Sequence, residues 1–277
     1  MDCRMTVAFI GFDGYSDLWE DCLKLYKKHW IDNPFQTLFI NNEKEFFCEG
    51  IEILHAGKDA EWSRKVQLAI EKAKTPYICL LLEDFFVGKN IDTKVIRNTL
   101  SFIEKEKIQY YKLVNMSRIG KNHDPHYQKY KFLHIIPESD EYGVSLQAAI
   151  WHKDYLKKLV GTGNYNAWKF EFARVKESEG KSDCPKSGCV FDERNILNLQ
   201  HGVIQGKYLP GTIKYFRKKK VKLNVDRKIL SWAEYYKMMA IPFVKQKIPK
   251  KYRNSVKKIL EKFGMQFVST IRDKEET

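Results

Sequence analysis

The sequence predicts an α/β protein: an open, mostly parallel, doubly wound sheet followed by a basic helical C-terminal extension. Three observations predict it. Apolar runs of strand length alternate with amphipathic stretches of helix length. The most apolar run, 77–82, lies between Thr75-Pro76 and Glu83-Asp84, as a buried central strand does. Positive charge is segregated: residues 207–258 hold 17 Lys or Arg against two acids, Asp226 and Glu234, while residues 1–206 sum to zero.

Taken in order, 6–12 is an apolar run punctuated by Gly11 and reads as the first strand. A turn at 13–16 leads into a helix over 17–30, whose Leu18, Cys22, Leu25, Tyr26 and Trp30 fall on one face. Asn33-Pro34 ends that unit; 36–40 and 51–54 are the next strands. A helix over 62–73 places Trp62, Val66, Ala69, Ile70 and Ala73 together and closes at Thr75-Pro76. After the strand 77–82 come a helix over 91–105 and a strand over 110–114. Residues 115–143 are polar and read as a long functional loop, with a hairpin around 132–136. A strand over 145–151, helices over 153–160 and 168–177, a loop over 178–189 and the end of the compact part at 203–208 complete the reading.

A chain of 277 residues buries a full core, and no run approaches ~20 apolar residues, so no spanning helix is expected. Met1-Asp2-Cys3-Arg4-Met5 lacks the pattern of a signal peptide, so a cytoplasmic location is expected. Cys3, Cys22, Cys48 and Cys79 read as small buried hydrophobes, and Cys184 and Cys189 as reduced loop thiols without further zinc ligands. The local concentration of the +14 charge argues against a uniformly basic nucleic-acid binder and for a patch that meets an anionic surface.

The chemistry concentrates at Glu83-Asp84. A buried strand that stops on two acids puts carboxylates at the carboxyl edge of a parallel sheet, where open α/β sheets bind ligands. Two adjacent acids in an apolar setting need a cation or a proton. Hard oxygen ligands there suit Mn²⁺ or Mg²⁺ bridging phosphates; a helix cap or a lysine pair is the alternative.

The run Tyr77-Ile78-Cys79-Leu80-Leu81-Leu82-Glu83-Asp84-Phe85-Phe86 resembles the metal-binding acidic motif of GT-A-type glycosyltransferases, with Glu-Asp in place of Asp-x-Asp. The segments 144–151, Trp168-Lys169-Phe170-Glu171 and 202–207 resemble blocks of bacterial capsule and O-antigen transferases of that fold, in the same order. The resemblance covers about residues 5–210 and implies a catalytic domain over 1–210, with 211–277 as the extension.

It further implies a nucleotide-sugar site, most simply for a UDP-sugar, at Phe12, Asp13, Gly14 and Tyr15, with Asp59, Arg64, Glu83 and Lys207 near the phosphates. Asp84, Glu83 and His201 are the implied metal ligands, Glu171 the implied catalytic base, and Trp168 and Gln147 the implied acceptor contacts. A carboxylate beside aromatic surface has raised proton affinity, as a general base for an acceptor hydroxyl needs. Glu171 equally fits a helix cap, Arg64 a solvated helix face, Trp62 the core and His201 a surface residue. His123, His126 and His134 read as a substrate-facing loop without metal.

The tail interleaves aromatics with cations over 214–222. Beyond it, Ile248, Tyr252, Val256, Ile259, Leu260 and Phe263 share a helical face among Lys and Arg. A basic amphipathic helix reads as a membrane-surface element, here over residues 211–263 on the inner face of the cell membrane. The alternative is a stripe packed on the protein's own core or a partner chain. The expected activity is transfer of a sugar to a glycan or lipid-linked acceptor, with inversion. A nucleotidyltransferase, or a nucleic-acid binder using the tail, is the competing reading. The first lacks a Gly-rich phosphate loop beyond Gly11 and Gly14, and the second conflicts with the neutral first 206 residues.

Overall fold

The computed structural model describes residues 2–114, 124–182 and 185–247. Along the chain lie β1 (Met5–Ile10), α1 (Trp19–His29), β2 (Gln36–Asn41), β3 (Glu52–His55), α2 (Trp62–Lys72), β4 (Tyr77–Leu82), β5 (Phe85–Val87), α3 (Thr93–Lys105) and β6 (Tyr110–Lys112). There follow β7 (His126–Tyr127), β8 (Tyr130–Pro137), β9 (Ala149–His152), α4 (Lys153–Val160), α5 (Ala167–Ser178), β10 (Pro185–Asp192), β11 (Leu199–His201), β12 (Val203–Ile204), β13 (Lys207–Tyr208), α6 (Pro210–Lys218) and α7 (Trp232–Lys247).

The central sheet runs β3-β2-β1-β4-β9-β6-β10-β8-β7. The first four strands pair in parallel, β9 runs against both β4 and β6, and β6 and β10 are parallel again. Period-two alternation splits each central strand between two cores. Met5, Val7 and Phe9 of β1 join Leu23 of α1, Ile96 of α3 and Phe216 of α6 on one face. Ala8 and Ile10 join Val66 of α2, Leu156 of α4 and Phe170 of α5 on the other. The doubly wound α/β class follows directly from this division.

Local chemistry sets the element ends. The Asp92 carboxylate accepts from the Lys94 and Val95 N–H groups and starts α3; Asn166 caps α5 through the Lys169 N–H. Pro210 opens α6, where its missing donor costs nothing. Gly11 sits where an added Cβ would come within 2.7 Å of the Phe39 ring, so only glycine lets β1 leave the sheet there.

Several expectations change. Residues 13–18 form a 3-10 helix before α1 rather than an open turn. The strand expected over 145–151 begins only at Ala149, because Ser145–Ala148 turns at the sheet edge. The loop expected up to 189 contains β10, so Cys189 lies on a strand, buried beside Tyr155, rather than in a loop. Cys3 is exposed, not buried. The hairpin expected near 132–136 is β7–β8.

The described residues up to Leu230 form one compact unit and those from Ser231 another. Within the first, α6 buries Ile213 and Phe216, and the segment after it buries Leu223 and Leu230. The apolar stripe from Ile248 to Phe263, His123, Cys184 and the polar stretch 115–123 lie outside the described residues. Among the described residues no helix is long and apolar enough to cross a membrane.

Candidate active site

In register, Ile10 of β1 stands beside Ile40 and Leu82, and Lys112 of β6 beside Ala149 and Phe191. The C-terminal ends of β1, β2, β4, β6 and β10 and the first residue of β9 therefore share one sheet edge. Glu83-Asp84 turns out of β4 at this edge, and both residues are buried.

The two acids have different partners. Glu83 Oε1 accepts the Phe12 N–H at 3.1 Å, tying the acidic turn to the turn after β1. Burial, reinforced by the Asp84 charge, pushes the Glu83 carboxyl up to about 8. Asp84 Oδ2 lies 2.9 Å from His201 Nε2, while Asp84 Oδ1 and His201 Nδ1 are buried without a hydrogen-bond partner. Pairing of β5 with β11 sets His201 opposite Phe85. Gly202 next to it donates its N–H to Asp84 O at 2.7 Å, and a Cβ there would meet Asp84 O at 2.9 Å. Glycine lets the two backbones approach closely.

The turn after β1 presents Phe12, 52 % exposed, with Tyr15 at 6.0 Å between ring centroids. Asp13 is tied to the loop after β2. Its carboxylate accepts the N–H groups of Asn42, Glu43 and Lys44 at 2.8–3.0 Å. Partial burial works upward on its proton affinity, but these amides hold it below the ordinary range. The Asn42 amide in turn bonds the Gly57, Lys58 and Ala60 carbonyls, fixing the loop that carries Asp59. Lys65 is buried on α2 and donates to Gly11 O at 2.9 Å. Burial lowers its proton affinity, and the charges of Glu83 and Asp13 oppose that fall.

Arg227 closes the other side of the turn. Its guanidinium grips Asp17 through two 2.6 Å bonds, donates to Gly14 O at 2.9 Å and lies 4.0 Å from the Tyr15 ring centroid. The Asn224 N–H donates to Asp21, so 224–227 straps the start of α1.

On the far part of the edge, Glu171 of α5 accepts the Leu146 N–H at 3.2 Å. Burial raises its carboxyl above the ordinary range against the pull of that N–H and of Lys112. Gln147 Oε1 and Ser145 Oγ in the adjoining turn are buried without hydrogen-bond partners. Lys112 is buried under that turn and donates to the Tyr142 and Gly143 carbonyls. Trp168 stands 58 % exposed one turn of α5 before Glu171.

The structure thus gathers Phe12, Tyr15, Glu83, Asp84, His201, Gln147 and Glu171 on one edge. Asp59 and Arg64 are exposed, and Arg64 bonds Gln67 on its own helix. Trp62 packs on Phe170 in the core, at 4.9 Å. Lys207 is half-buried on β13. Sequence reading missed Lys65, Asn42, Lys112 and Arg227. For Lys65 the signal was a lysine on the apolar stripe of α2, between Trp62 and Val66.

Among the described residues no three His, Cys, Asp or Glu side chains are arranged to hold an ion. The fit of a divalent cation rests on fewer groups: an orphaned, buried Asp84 oxygen beside a Glu83 carboxyl that burial has made reluctant to ionise. A cation such as Mg²⁺ that takes one or two carboxylates and completes its shell with phosphate and water oxygens fits this set.

No family model matches the chain, and no curated protein matches it. Among solved structures it is similar to S. aureus TarS, at 10 % identity and a TM-score of 0.45, over 90 % of this chain and 46 % of that one. It is similar to the TarS 1-349 fragment at 10 % identity and a TM-score of 0.42, over 68 % and 60 % of the two chains. A cytidylyltransferase from Leptospira borgpetersenii matches at 11 % identity and a TM-score of 0.39, over 64 % and 71 %. The chain therefore spans less than two thirds of either TarS chain.

Proposed function

We propose that the chain is a nucleotide-sugar-dependent glycosyltransferase that moves a sugar to a glycan or lipid-linked acceptor in surface polysaccharide synthesis. One observation carries the reading: a buried Glu-Asp turn at the carboxyl edge of a doubly wound sheet, hydrogen-bonded to a turn that presents an open aromatic ring. Such an edge takes a nucleotide, with the base against the ring and the diphosphate toward the acids.

The donor lies along Phe12, Gly14 and Tyr15. The Asp13 and Asn42 networks hold the surrounding loops, and Arg227 holds the turn itself. A divalent cation, Mn²⁺ or Mg²⁺, bound by Asp84 with Glu83 and phosphate oxygens would offset charge on the departing diphosphate. His201 orients Asp84, and Lys207 and Lys65 add positive charge on the donor side. Glu171 takes the proton of the acceptor hydroxyl as that oxygen attacks the anomeric carbon and the bond to the diphosphate breaks. The raised proton affinity of its carboxyl suits that task. Attack opposite the leaving group inverts the anomeric centre. Trp168 supplies a flat apolar face for the acceptor ring, and Gln147 has a carbonyl oxygen to accept a hydroxyl.

The test is a thermal-shift screen of nucleoside diphosphate sugars with and without Mn²⁺. A bound donor at about 100 times its Kd adds roughly 2.7 kcal/mol of stability. The reading expects a UDP-sugar to raise Tm only when Mn²⁺ is present. If nucleoside triphosphates raise Tm and no diphosphate sugar does, nucleotidyl transfer replaces it.

A further inference from the structure

At the opposite end of α1 from the Tyr15–Asp17 turn lies a cavity of about 250 Å³. Eleven residues of α1 separate the two ends, roughly 16 Å at 1.5 Å per residue. Lys28 and His29 from the end of α1, Lys89 and Asn90 from the loop after β5, and Lys219 after α6 line it over an apolar floor that includes Phe216. Three cations distant in sequence thus meet at one opening, and no acid is among the lining residues. Lys28, Lys89 and Lys219 are exposed, and among the described residues none of the three is in an ion pair. Asn90 Oδ1 bonds His29 Nδ1 at 2.8 Å, and the Ile91 N–H donates to His29 O, which fixes the wall between two of the segments.

The cations at the ends of α1 and α6 complement the helix dipoles, but Lys89 belongs to no helix end and closes the ring. Lysines brought from three segments to one small opening favour a phosphate-sized anion. The surroundings say where that phosphate sits. Arg217, Lys218, Lys220 and Lys222 extend the positive surface well beyond the cavity, and all are exposed. That is more charge than one soluble phosphate neutralises, and it matches a sheet of anions. The apolar floor suits the glycerol part of a headgroup. We propose that this cavity binds the phosphate of an anionic membrane lipid and seats the first compact unit on a bilayer surface. The inference does not rest on the glycosyltransferase reading.

The test is co-sedimentation of the full chain with vesicles of phosphatidylglycerol and phosphatidylcholine, against phosphatidylcholine alone. The full chain should bind the mixed vesicles and not the neutral ones. Lys28→Ala/Lys89→Ala/Lys219→Ala should weaken that binding on the order of 100-fold, with an unchanged thermal transition. Lys72→Ala/Lys157→Ala/Lys158→Ala removes the same charge from exposed sites on α2 and α4, across the sheet, and should leave vesicle binding within a fewfold of the parent. If the triple cavity variant does not fold, Lys28→Ala/Lys89→Ala is read the same way. Equal loss in both sets would show unspecific charge attraction and overturn the proposal, as would full binding by the cavity variant. Binding of inorganic phosphate that the cavity variant loses, with no vesicle binding by the parent, would assign a soluble ligand instead. A single-stranded RNA bound through the same three lysines, again without vesicle binding, would overturn it in favour of nucleic acid.

Discussion

His201 Nε2 lies 2.9 Å from Asp84 Oδ2, joining the last residue of β11 to the turn after β4. The contact gives one carboxylate oxygen a partner and leaves the other buried and unpaired. A buried polar atom without a partner costs about 1–3 kcal/mol, so a fold that retains one needs a reason.

Asp84→Asn is therefore expected to remove Mn²⁺-dependent donor binding while the fold persists. Calorimetry with donor and Mn²⁺ reads the first, and far-UV circular dichroism the second. His201→Ala should weaken the cation by less, because it acts through the orientation of Asp84; unchanged donor affinity in Asp84→Asn removes the acid turn from the site.

Glu83 sets a pH dependence whose sign is fixed. Its carboxyl ionises near 4.5 in an unfolded chain and is pushed up to about 8 when folded. Between those values the folded state holds a proton that the unfolded state has released. Stability is then fully present below about 4.5 and is lost as pH rises toward 8, by a total on the order of a few kcal/mol. Denaturant titrations from pH 5 to 8.5 without metal should show that fall, and Glu83→Gln should flatten it. Cation binding should strengthen over the same range, because the bound ion displaces the proton.

Glu171→Gln should leave donor affinity almost intact and cut turnover by about 10²–10⁴-fold, the range for loss of a general base. Single-turnover rates with a competent acceptor measure it. Near-normal turnover would assign the carboxylate to holding the Leu146 turn instead.

Arg227→Ala removes the bidentate pair with Asp17 and the packing over Tyr15. Both charged side chains retain some solvent exposure, so the expected loss is about 1–2 kcal/mol, or a few degrees in Tm. The donor Kd should rise more than kcat falls, since the strap holds the donor turn and touches no reacting group. Arg227→Lys should rescue only in part, because one ammonium does not reproduce the planar fork.

Much of the fold was legible because periodicity reports burial directly. The boundaries of β4 match the apolar run 77–82, and the faces of α1 and α2 match their stripes. β10 was not legible: Pro185-Lys-Ser-Gly-Cys189 has loop composition and becomes a strand only because β6 and β8 hydrogen-bond it on both sides. At the site, Glu83-Asp84 announced itself as charge at the end of an apolar run. Arg227 gave no local signal, since its partner Asp17 is 210 residues away, and one lysine-rich segment looks much like another. Asp13 was legible as a turn residue, but not as the acceptor of three amides from the neighbouring loop.

The position of β9 has a consequence for how the chain comes off the ribosome. β4 and β6 are not neighbours; the lane between them belongs to β9, which is made later than either. Until His152 has emerged, the nascent chain carries the half-sheet β3-β2-β1-β4 with an open border of unpaired amides and carbonyls on β4, and β6 has neither of its neighbours, since β10 is made later still. Such borders are the places where one chain adds to another. A stalled or truncated product that stops before β9 should thus recruit its own kind, whereas one that reaches the end of α4 has already sealed that border.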